Sequence, residues 1–257
     1  MADWRPTTRN LVLDGDDTVA VLRLDRPEVL NALTLEMLAD VAAGIRTLGT
    51  GGRSRGLILT GTGRAFSSGD DLKITEDLDR STWERLIDAF QDVTRAVAET
   101  EVPVVAALNG IAVGGAAEIA CACDLRVGGP ASDFLFPENG LGLTISNGST
   151  LTLPALLGPR AVGVVLLGER IPARRARELG LIDVWVDEPE RVLPEARRLT
   201  GDLAQAGRAT ALHLSMLRPG RDQVERALER ERQAALLAWD RGLPQRGIRR
   251  FFETRGR

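Results

Sequence analysis

The sequence is poor in the side chains that most often carry acid–base or nucleophilic chemistry. Its 257 residues include no Tyr, one His (His213) and one Lys (Lys73), so every other basic residue is Arg. A mechanism built on a pair of His, on a Tyr acid or on several Lys is therefore excluded. Proton transfer would have to use carboxyl groups or the backbone.

Cysteine and long apolar segments are also scarce. Cys121 and Cys123 stand too close together for an easy disulfide and lie in an apolar segment, so we expect buried, reduced thiols. One His, scattered carboxylates and the absence of Cys-x-x-Cys leave no basis for a metal site. No segment approaches the roughly 18 apolar residues of a membrane span, and the N-terminus has no apolar signal core. We expect a cytoplasmic protein with no membrane partner.

The composition is that of a globular protein, with 44% hydrophobic and 27% charged residues. The length suits one large domain or one domain with an appendage. The net charge of −3 hides a basic C-terminal region, because residues 191–257 contain 15 Arg against 8 Asp or Glu. Such a region can bind nucleic acid, but here Arg alternates with Glu, as in residues 229–232. This alternation favours a solvated or subunit-facing helix, so we expect no nucleic-acid partner.

Hydrophobic periodicity predicts an α/β fold. The β-rich segments are 11–13, 18–24, 56–60, 102–108 and 124–128, with short extended pieces at 133–136 and 141–145. The helical patterns are 34–48, 81–99, 114–122, 150–167 and 173–180. A turn at 14–17 makes a hairpin of the first two β segments, and the later strand-to-helix steps favour parallel strands. We therefore predict an α/β core over residues 1–190 and a helical region over 191–257, with breaks near 219–220 and 243–244.

Two Gly-rich turns, 61–71 and 109–115, follow apolar strands without matching a nucleotide-binding motif. The first lacks the third Gly of the dinucleotide fingerprint and the second has the wrong spacing, while P-loop and nucleophile-elbow patterns are absent. A turn that enters a helix does leave unpaired N–H groups, which can bind an anion. Glu118 lies in that helix among Gly and Ala. It is either a functional buried acid or a residue favoured by the helix dipole.

Three segments, in this order and spacing, resemble the crotonase (enoyl-CoA hydratase/isomerase) superfamily. They are Arg-Pro-Glu-Val-Leu-Asn-Ala-Leu at 26–33, Gly-Arg-Ala-Phe-Ser-Ser-Gly-Asp-Asp-Leu-Lys at 63–73, and residues 109–124. Pro137-Glu138 and residues 247–253 extend the resemblance over nearly the whole chain. It implies a spiral of β-β-α units followed by C-terminal helices that assemble homotrimers or hexamers. In such assemblies these helices pack on a neighbouring subunit and help close its CoA site.

The resemblance also implies the catalytic groups. Glu118 and Glu138 correspond to the two acids of a hydratase, which hold one water over the double bond of a 2-enoyl-CoA. The backbone N–H groups of Asp70 and Gly115 correspond to the oxyanion hole for the thioester oxygen. In this family, small apolar residues are frequent at position 70. A carboxylate there would oppose negative charge on the thioester oxygen, so we expect the Asp70 carboxylate to point away from it. No separate cofactor is implied, because coenzyme A is part of the acyl-CoA substrate.

Further positions are implied for binding the substrate. The CoA-binding candidates are Glu28, Val29, Leu30, Ala32, Arg64, Ser68 and Lys73. The acyl-pocket candidates are Trp83, Leu86, Phe90, Ser146 and Asn147, although the first three also have the spacing of a core-facing stripe. Ser146 stands where dienoyl-CoA isomerases carry Asp, which argues against that reaction.

Alternatives to hydration stay open. Residues 142–150 depart from the Pro-Gly-Gly-rich sequence typical after the second acid. The chain could therefore catalyse another reaction through a CoA-thioester enolate, such as isomerisation, hydrolysis or decarboxylation. A Ser/His/Asp hydrolase, which is a different class of enzyme, could be built only on His213, which lies in the helical region. A non-catalytic CoA-binding scaffold is disfavoured because both acids are present.

Overall fold

The computed structural model describes residues 4–16, 18–50, 54–75 and 78–255. The strands are β1 (Leu11–Gly15), β2 (Val19–Leu24), β3 (Gly56–Gly61), β4 (Ala65–Ser67), β5 (Val104–Leu108), β6 (Ile111–Val113), β7 (Leu125–Gly128), β8 (Phe134–Leu135) and β9 (Val184–Trp185). The helices are α1 (Leu35–Gly49), α2 (Leu72–Thr75), α3 (Arg80–Glu99), α4 (Gly115–Ala122), α5 (Glu138–Leu141), α6 (Ser149–Leu157), α7 (Arg160–Leu167), α8 (Ala173–Leu179), α9 (Val192–Ala206), α10 (Arg208–Leu217), α11 (Arg221–Asp240) and α12 (Leu243–Arg255).

The larger sheet has the strand order β1-β2-β3-β5-β7-β9. β1 and β2 form the predicted antiparallel hairpin, whose turn includes Asp17, outside the described residues. The other neighbours in the sheet are parallel. β3 and β5 are buried along their whole length because helices cover both faces, as is usual for parallel strands. This agrees with the α/β fold predicted from the apolar strand segments.

The two faces of this sheet carry separate hydrophobic clusters. The major core joins one face to α1, α3 and α4. On the other face, Val192 and Ala196 of α9 pack with Val21, Ile58 and Val105. α9 therefore belongs to the packing of the sheet, although it lies beyond residue 190. The predicted division of the chain at 190 does not coincide with a break in the core.

A smaller parallel sheet, in the order β4-β6-β8, is built from the segments that follow strands of the larger sheet. β3 leads into β4, β5 into β6 and β7 into β8, and each pair is followed by a helix. The result is the repeated β-β-α unit that the resemblance implies. It brings the two Gly-rich turns to the same side of the molecule.

Several predicted boundaries differ from the observed ones. Residues 141–145 are not a strand, because α5 ends at Gly142, where φ is +68°. The single helical pattern at 150–167 is divided into α6 and α7 by Gly158 and Pro159. α9 and α10 are separated at Gly207, a break beyond those predicted. In the described ranges, no helix combines the length and apolar character needed to cross a membrane.

Candidate active site

A cavity of about 900 Å³ lies where the turns after the parallel strands meet α3, α5 and α12. It brings together all four residues proposed for chemistry: Asp70, Gly115, Glu118 and Glu138. The substrate-binding candidates that also line it are Val29, Leu30, Ala32, Ser68, Lys73, Trp83, Leu86, Phe90 and Ser146. Trp83, Leu86 and Phe90 are also buried in the core cluster, as their spacing predicts, and their contact with an acyl chain stays a prediction.

Three candidates do not line the cavity. Glu28 and Arg64 are exposed and lie outside its wall. Asn147 is fully buried beneath the wall, where its Nδ2 donates to Gly115 O at 3.3 Å. Thr94 Oγ1 donates to Asn147 O at 2.9 Å. Asn147 therefore supports the start of α4 and is not placed to touch an acyl chain.

The two Gly-rich turns meet at Gly69 and Val113. Gly69 has a φ of +79°, and a Cβ at this position would lie 2.5 Å from Val113 O. Asp70 directly follows Gly69, and Gly115 lies two residues after Val113. Neither backbone N–H has a hydrogen-bond acceptor in the described part of the chain. Gly115 begins α4, so its N–H has no acceptor within the helix. The contact leaves two unpaired donors at the cavity.

Gly115 also permits the close approach of α3. A Cβ at Gly115 would lie 2.5 Å from Phe90 Cε1, well inside any normal carbon contact. Because Gly has no side chain, the Phe90 ring can form the cavity wall directly beside the start of α4.

The turn that carries Asp70 is held by the segment 26–33. Asn31 is fully buried with a φ of 57°, and its Nδ2 donates to Thr62 O and Ala65 O, both at 2.9 Å. Its Oδ1 accepts from Arg26 N at 3.0 Å. Arg26 Nη1 in turn donates to Asp71 Oδ2 at 3.1 Å. Asn31 carries no sequence signal beyond its place in the segment, because its partners are distant in the chain.

Glu118 is the more deeply enclosed of the two acids, with 1% of its surface exposed. Its Oε2 accepts from Ser146 N and from Ser149 Oγ, each at 2.7 Å. Burial raises the pKa of Glu118 well above the usual range of a glutamate, and the charge of Glu138 raises it further. The two hydrogen bonds act in the opposite direction because they favour the ionised form.

Glu138 begins α5 and is 5% exposed. Its Oε2 has no hydrogen-bond partner among the described residues. Burial raises the pKa of Glu138 to about 7, and the charge of Asp70 also raises it, whereas a hydrogen bond with Glu118 lowers it. Because each carboxyl responds to the other, the pair titrates as a unit and retains a proton near neutral pH.

Asp70 adds a third carboxyl group to this cluster. Its Oδ1 is buried without a partner in the described chain, and burial raises the pKa of Asp70 to about 7. Asp70 lines the same cavity as Glu118 and Glu138, and its charge raises the pKa of Glu138. The neutral form would not oppose negative charge on an oxygen held by the Asp70 N–H. Burial therefore limits the penalty expected for an acid at this position.

The C-terminal region closes the cavity within the same chain. Gly247 of α12 packs directly on Leu141 O, and a Cβ there would overlap that oxygen. Arg250 Nη2 donates to Gly140 O at 3.1 Å. Trp239 of α11 stacks on Trp83, with ring centroids 5.2 Å apart. The resemblance implies contacts with a neighbouring subunit, but here the chain's own last helices also build the site.

Among the described residues, neither a metal-binding cluster nor the single His lies in this site. In the part of the chain that the structure describes, no group of three or more His, Cys, Asp or Glu could hold a metal ion. His213 is exposed on α10 and does not line the cavity.

Comparisons with known proteins agree along the whole chain. A family model described as enoyl-CoA hydratase/isomerase matches residues 14–257. A crotonyl-CoA hydratase from Syntrophomonas wolfei subsp. wolfei is 31% identical over 250 residues, which cover 96% of each protein. A short-chain-enoyl-CoA hydratase from Clostridium acetobutylicum is 31% identical over 196 residues, covering 75% of this chain and 74% of the relative.

Solved structures show the same fold. The crystal structure of an enoyl-CoA hydratase from Mycobacterium avium subsp. paratuberculosis has a TM-score of 0.84 and 25% identity, covering 95% of this chain and 96% of its own. The corresponding structure from Geobacillus kaustophilus has a TM-score of 0.75 and 32% identity, covering 95% of each chain. The fold and the acid-lined cavity define a crotonase-type enzyme. The chain belongs to the enoyl-CoA hydratase/isomerase family and is an enoyl-CoA hydratase-like enzyme.

Proposed function

We propose that this enzyme hydrates 2-enoyl-CoA thioesters to 3-hydroxyacyl-CoA. The observation that carries the proposal is the pairing of two buried carboxyl groups, Glu118 and Glu138, in the cavity that also presents the free N–H groups of Asp70 and Gly115. Hydration needs both a base and an acid, and two acids that share a proton can supply them. Relatives named as hydratases support the same reaction.

The two N–H groups would bind the thioester carbonyl oxygen. As water adds to the β-carbon, electrons of the double bond move toward this carbonyl and its oxygen becomes enolate-like. Fixed backbone donors bind this charged oxygen more strongly than the neutral carbonyl, so they lower the barrier to addition. They also need no rearrangement during the reaction because Gly69 and Val113 hold the two turns in contact.

The hydrogen bonds of the acids support a division of roles between them. Glu118 accepts two hydrogen bonds, which favour its ionised form, and it would take a proton from water as the water oxygen bonds to the β-carbon. Glu138 Oε2 accepts none from the residues that the structure describes, so Glu138 would hold the shared proton and deliver it to the α-carbon. The water thus contributes a hydroxyl group at one carbon and replaces the proton given to the other. Proton exchange within the pair restores the starting state.

The binding of CoA would use the rim of the cavity. Lys73 is exposed at the rim, where it can reach a phosphate, while Val29, Leu30, Ala32 and Ser68 supply an adjacent surface. Coenzyme A enters as part of the substrate, and we propose no further cofactor. The side chains of Trp83, Leu86 and Phe90 would contact the acyl chain at the other end.

We also propose self-association as a homotrimer or hexamer. α10 buries none of its residues against the rest of the chain, and it exposes Leu212, Met216 and Leu217 at 64%, 69% and 80%. A patch of large apolar side chains of this kind is typical of a subunit interface.

The proposed reaction is tested by following the loss of absorbance of the conjugated thioester in a panel of 2-enoyl-CoA substrates. We expect Glu118→Gln and Glu138→Gln each to lower kcat by about 10² to 10⁴, because each removes one proton-transfer group. His213→Ala is the control and should retain wild-type turnover, since His213 lies outside the cavity. Undiminished hydration in both Gln variants would contradict the two-carboxyl mechanism. Double-bond migration that outpaces hydration would instead favour an isomerase.

A further inference from the structure

Glu231 lies in the C-terminal helix α11 and carries no role in the proposed reaction, yet it is only 2% exposed. Its carboxyl group accepts three hydrogen bonds from the start of α6. Gly148 N donates to Oε2 at 2.8 Å, and Thr150 N and Oγ1 donate to Oε1, both at 2.6 Å. The first N–H groups of a helix have no acceptor within the helix. Glu231 therefore caps α6 from a helix more than 70 residues later in the sequence.

The segment that Glu231 caps is the segment that binds Glu118. Ser146 N and Ser149 Oγ donate to Glu118 Oε2, and Ser149 is fully buried. These donors lie immediately beside the atoms that donate to Glu231. Residues 146–150 thus form a bridge between a carboxyl group of α11 and the carboxyl group that we assign as the base.

The bridge has a conformation that needs external support. Asn147 and Gly148 follow one another with positive φ values of 52° and 74°, and such a conformation is unfavourable for a residue with a side chain. The Ser149 N to Ser146 O hydrogen bond of 2.8 Å closes the turn. Glu231 holds the two positions that flank Ser149, so it determines where the Ser149 hydroxyl lies.

We propose that Glu231 is a positioning residue for Glu118, acting through residues 146–150 to keep Ser146 N–H and Ser149 Oγ–H on the catalytic carboxylate. This inference rests on the proposed function, because it concerns the base of the hydration reaction. It also gives a role to the segment 142–150, which departs from the pattern typical of the family. The serine at 149 supplies a side-chain donor to Glu118 that a glycine could not supply.

The charges around Glu231 are few. Burial raises the pKa of Glu231 to about 7, while the donors Thr150 and Gly148 lower it, as does the nearby charge of Arg230. Across the bridge, the charge of Glu231 raises the pKa of Glu118. On the α3 side, Arg95 pairs with Glu225 and Arg232 pairs with Asp88. The hydrogen bonds from the bridge therefore lower the pKa of Glu118, whereas the charge of Glu231 raises it.

The inference is tested by a double-mutant cycle with Glu231→Gln and Ser149→Ala. In Glu231→Gln one oxygen can still accept from Thr150, but the amide NH₂ would face Gly148 N–H. We expect Glu231→Gln to lower kcat by about 10- to 100-fold and to change KM by less than about twofold, because Glu231 itself does not line the cavity. In the Ser149→Ala background the same substitution should cost less than about threefold, because the two residues act through one bridge.

Glu229→Gln is the matched control on the same helix, where exposed Glu229 accepts only from Gln233 Nε2 at 2.7 Å. It should leave kcat and KM unchanged. Far-UV circular dichroism and thermal unfolding check that each variant folds. If Glu231→Gln does not fold, Thr150→Val replaces it, because that change removes one donor to Glu231 and keeps the backbone.

Additive effects of Glu231→Gln and Ser149→Ala on kcat would overturn the inference, as would wild-type kcat in Glu231→Gln. A wild-type enzyme that hydrates no 2-enoyl-CoA refutes the proposed function and not the bridge. In that case the same cycle is measured from urea unfolding. Coupling between the two substitutions then supports the bridge, and independence of the two refutes it.

Discussion

Compared with wild type, the Asp70→Asn variant should gain stability as the pH rises. Burial raises the pKa of Asp70 from the usual 3.8 to about 7, so the folded protein binds this proton more tightly than the unfolded chain does. The stabilising contribution of that proton is complete below pH 3.8 and is lost as the pH rises through about 7. Asn does not titrate. The difference in unfolding free energy between Asp70→Asn and wild type should therefore increase over this interval.

The size of the effect follows from the pKa of Asp70. Raising the pH from 5 to 8 crosses about 2 units between pH 5 and the folded pKa, and each unit corresponds to about 1.36 kcal/mol. The variant should gain at most about 2.7 kcal/mol over wild type across this range. Because Asp70 is partly exposed and solvent screens part of its charge, we expect about 1 to 2.5 kcal/mol. Any penalty for placing an amide at position 70 is the same at both pH values and cancels in the comparison.

The assay is urea unfolding followed by Trp fluorescence at pH 5 and pH 8. Protein concentration is held constant because self-association would alter the apparent stability. Asp222→Asn makes the same chemical change at an exposed position and is the matched control. A difference between Asp70→Asn and wild type that is equal at the two pH values would refute the reasoning. In the enzyme assay, loss of the Asp70 charge should also lower the pKa of Glu138 and move the corresponding limb of the kcat profile to lower pH.

Two further sets of substitutions test a buried ion pair and the proposed subunit interface. Arg218→Ala should lower the free energy of unfolding by about 3 to 5 kcal/mol in urea, because Arg218 Nη2 lies 2.6 Å from Asp124 Oδ2 and both side chains are largely buried. A loss below about 1 kcal/mol would contradict this. Replacing Leu212 and Met216 by Glu should convert a trimer or hexamer to monomers in sedimentation, with little loss of monomer stability because both are exposed. An unchanged sedimentation coefficient would show that α10 is outside the interface.

Much of the secondary structure could be predicted from the sequence because its signals are local. The hairpin of β1 and β2 follows from two β-rich segments joined by an Asp- and Gly-containing turn. The start of α1 follows from Thr34, whose Oγ1 accepts from Met37 N at 3.3 Å. Errors occur where a long-range contact overrides the pattern, as at Gly142, which packs against the backbone of Leu243.

The resemblance of the sequence to a known family also indicated the acids and the N–H donors. It did not indicate their surroundings. Ser149 and Glu231 have no individual sequence signal, since their partners lie 31 and 81 residues away. Asn147, named as an acyl-pocket candidate from its polarity and position, instead supports Gly115 from below the cavity wall.

By itself the sequence predicted most strands and helices of the α/β core and the positions of the Gly-rich turns, and it left carboxyl groups or the backbone for proton transfer. Only the tertiary structure decided that Asp70, Glu118 and Glu138 share one cavity, that α9 packs on the sheet, and that Glu231 of α11 caps α6 beside Glu118. The physical reason is one of range. Backbone conformation and amphipathic pattern depend on near neighbours, whereas the desolvation that raises the pKa of a carboxyl group depends on every atom packed around it, whatever its place in the chain.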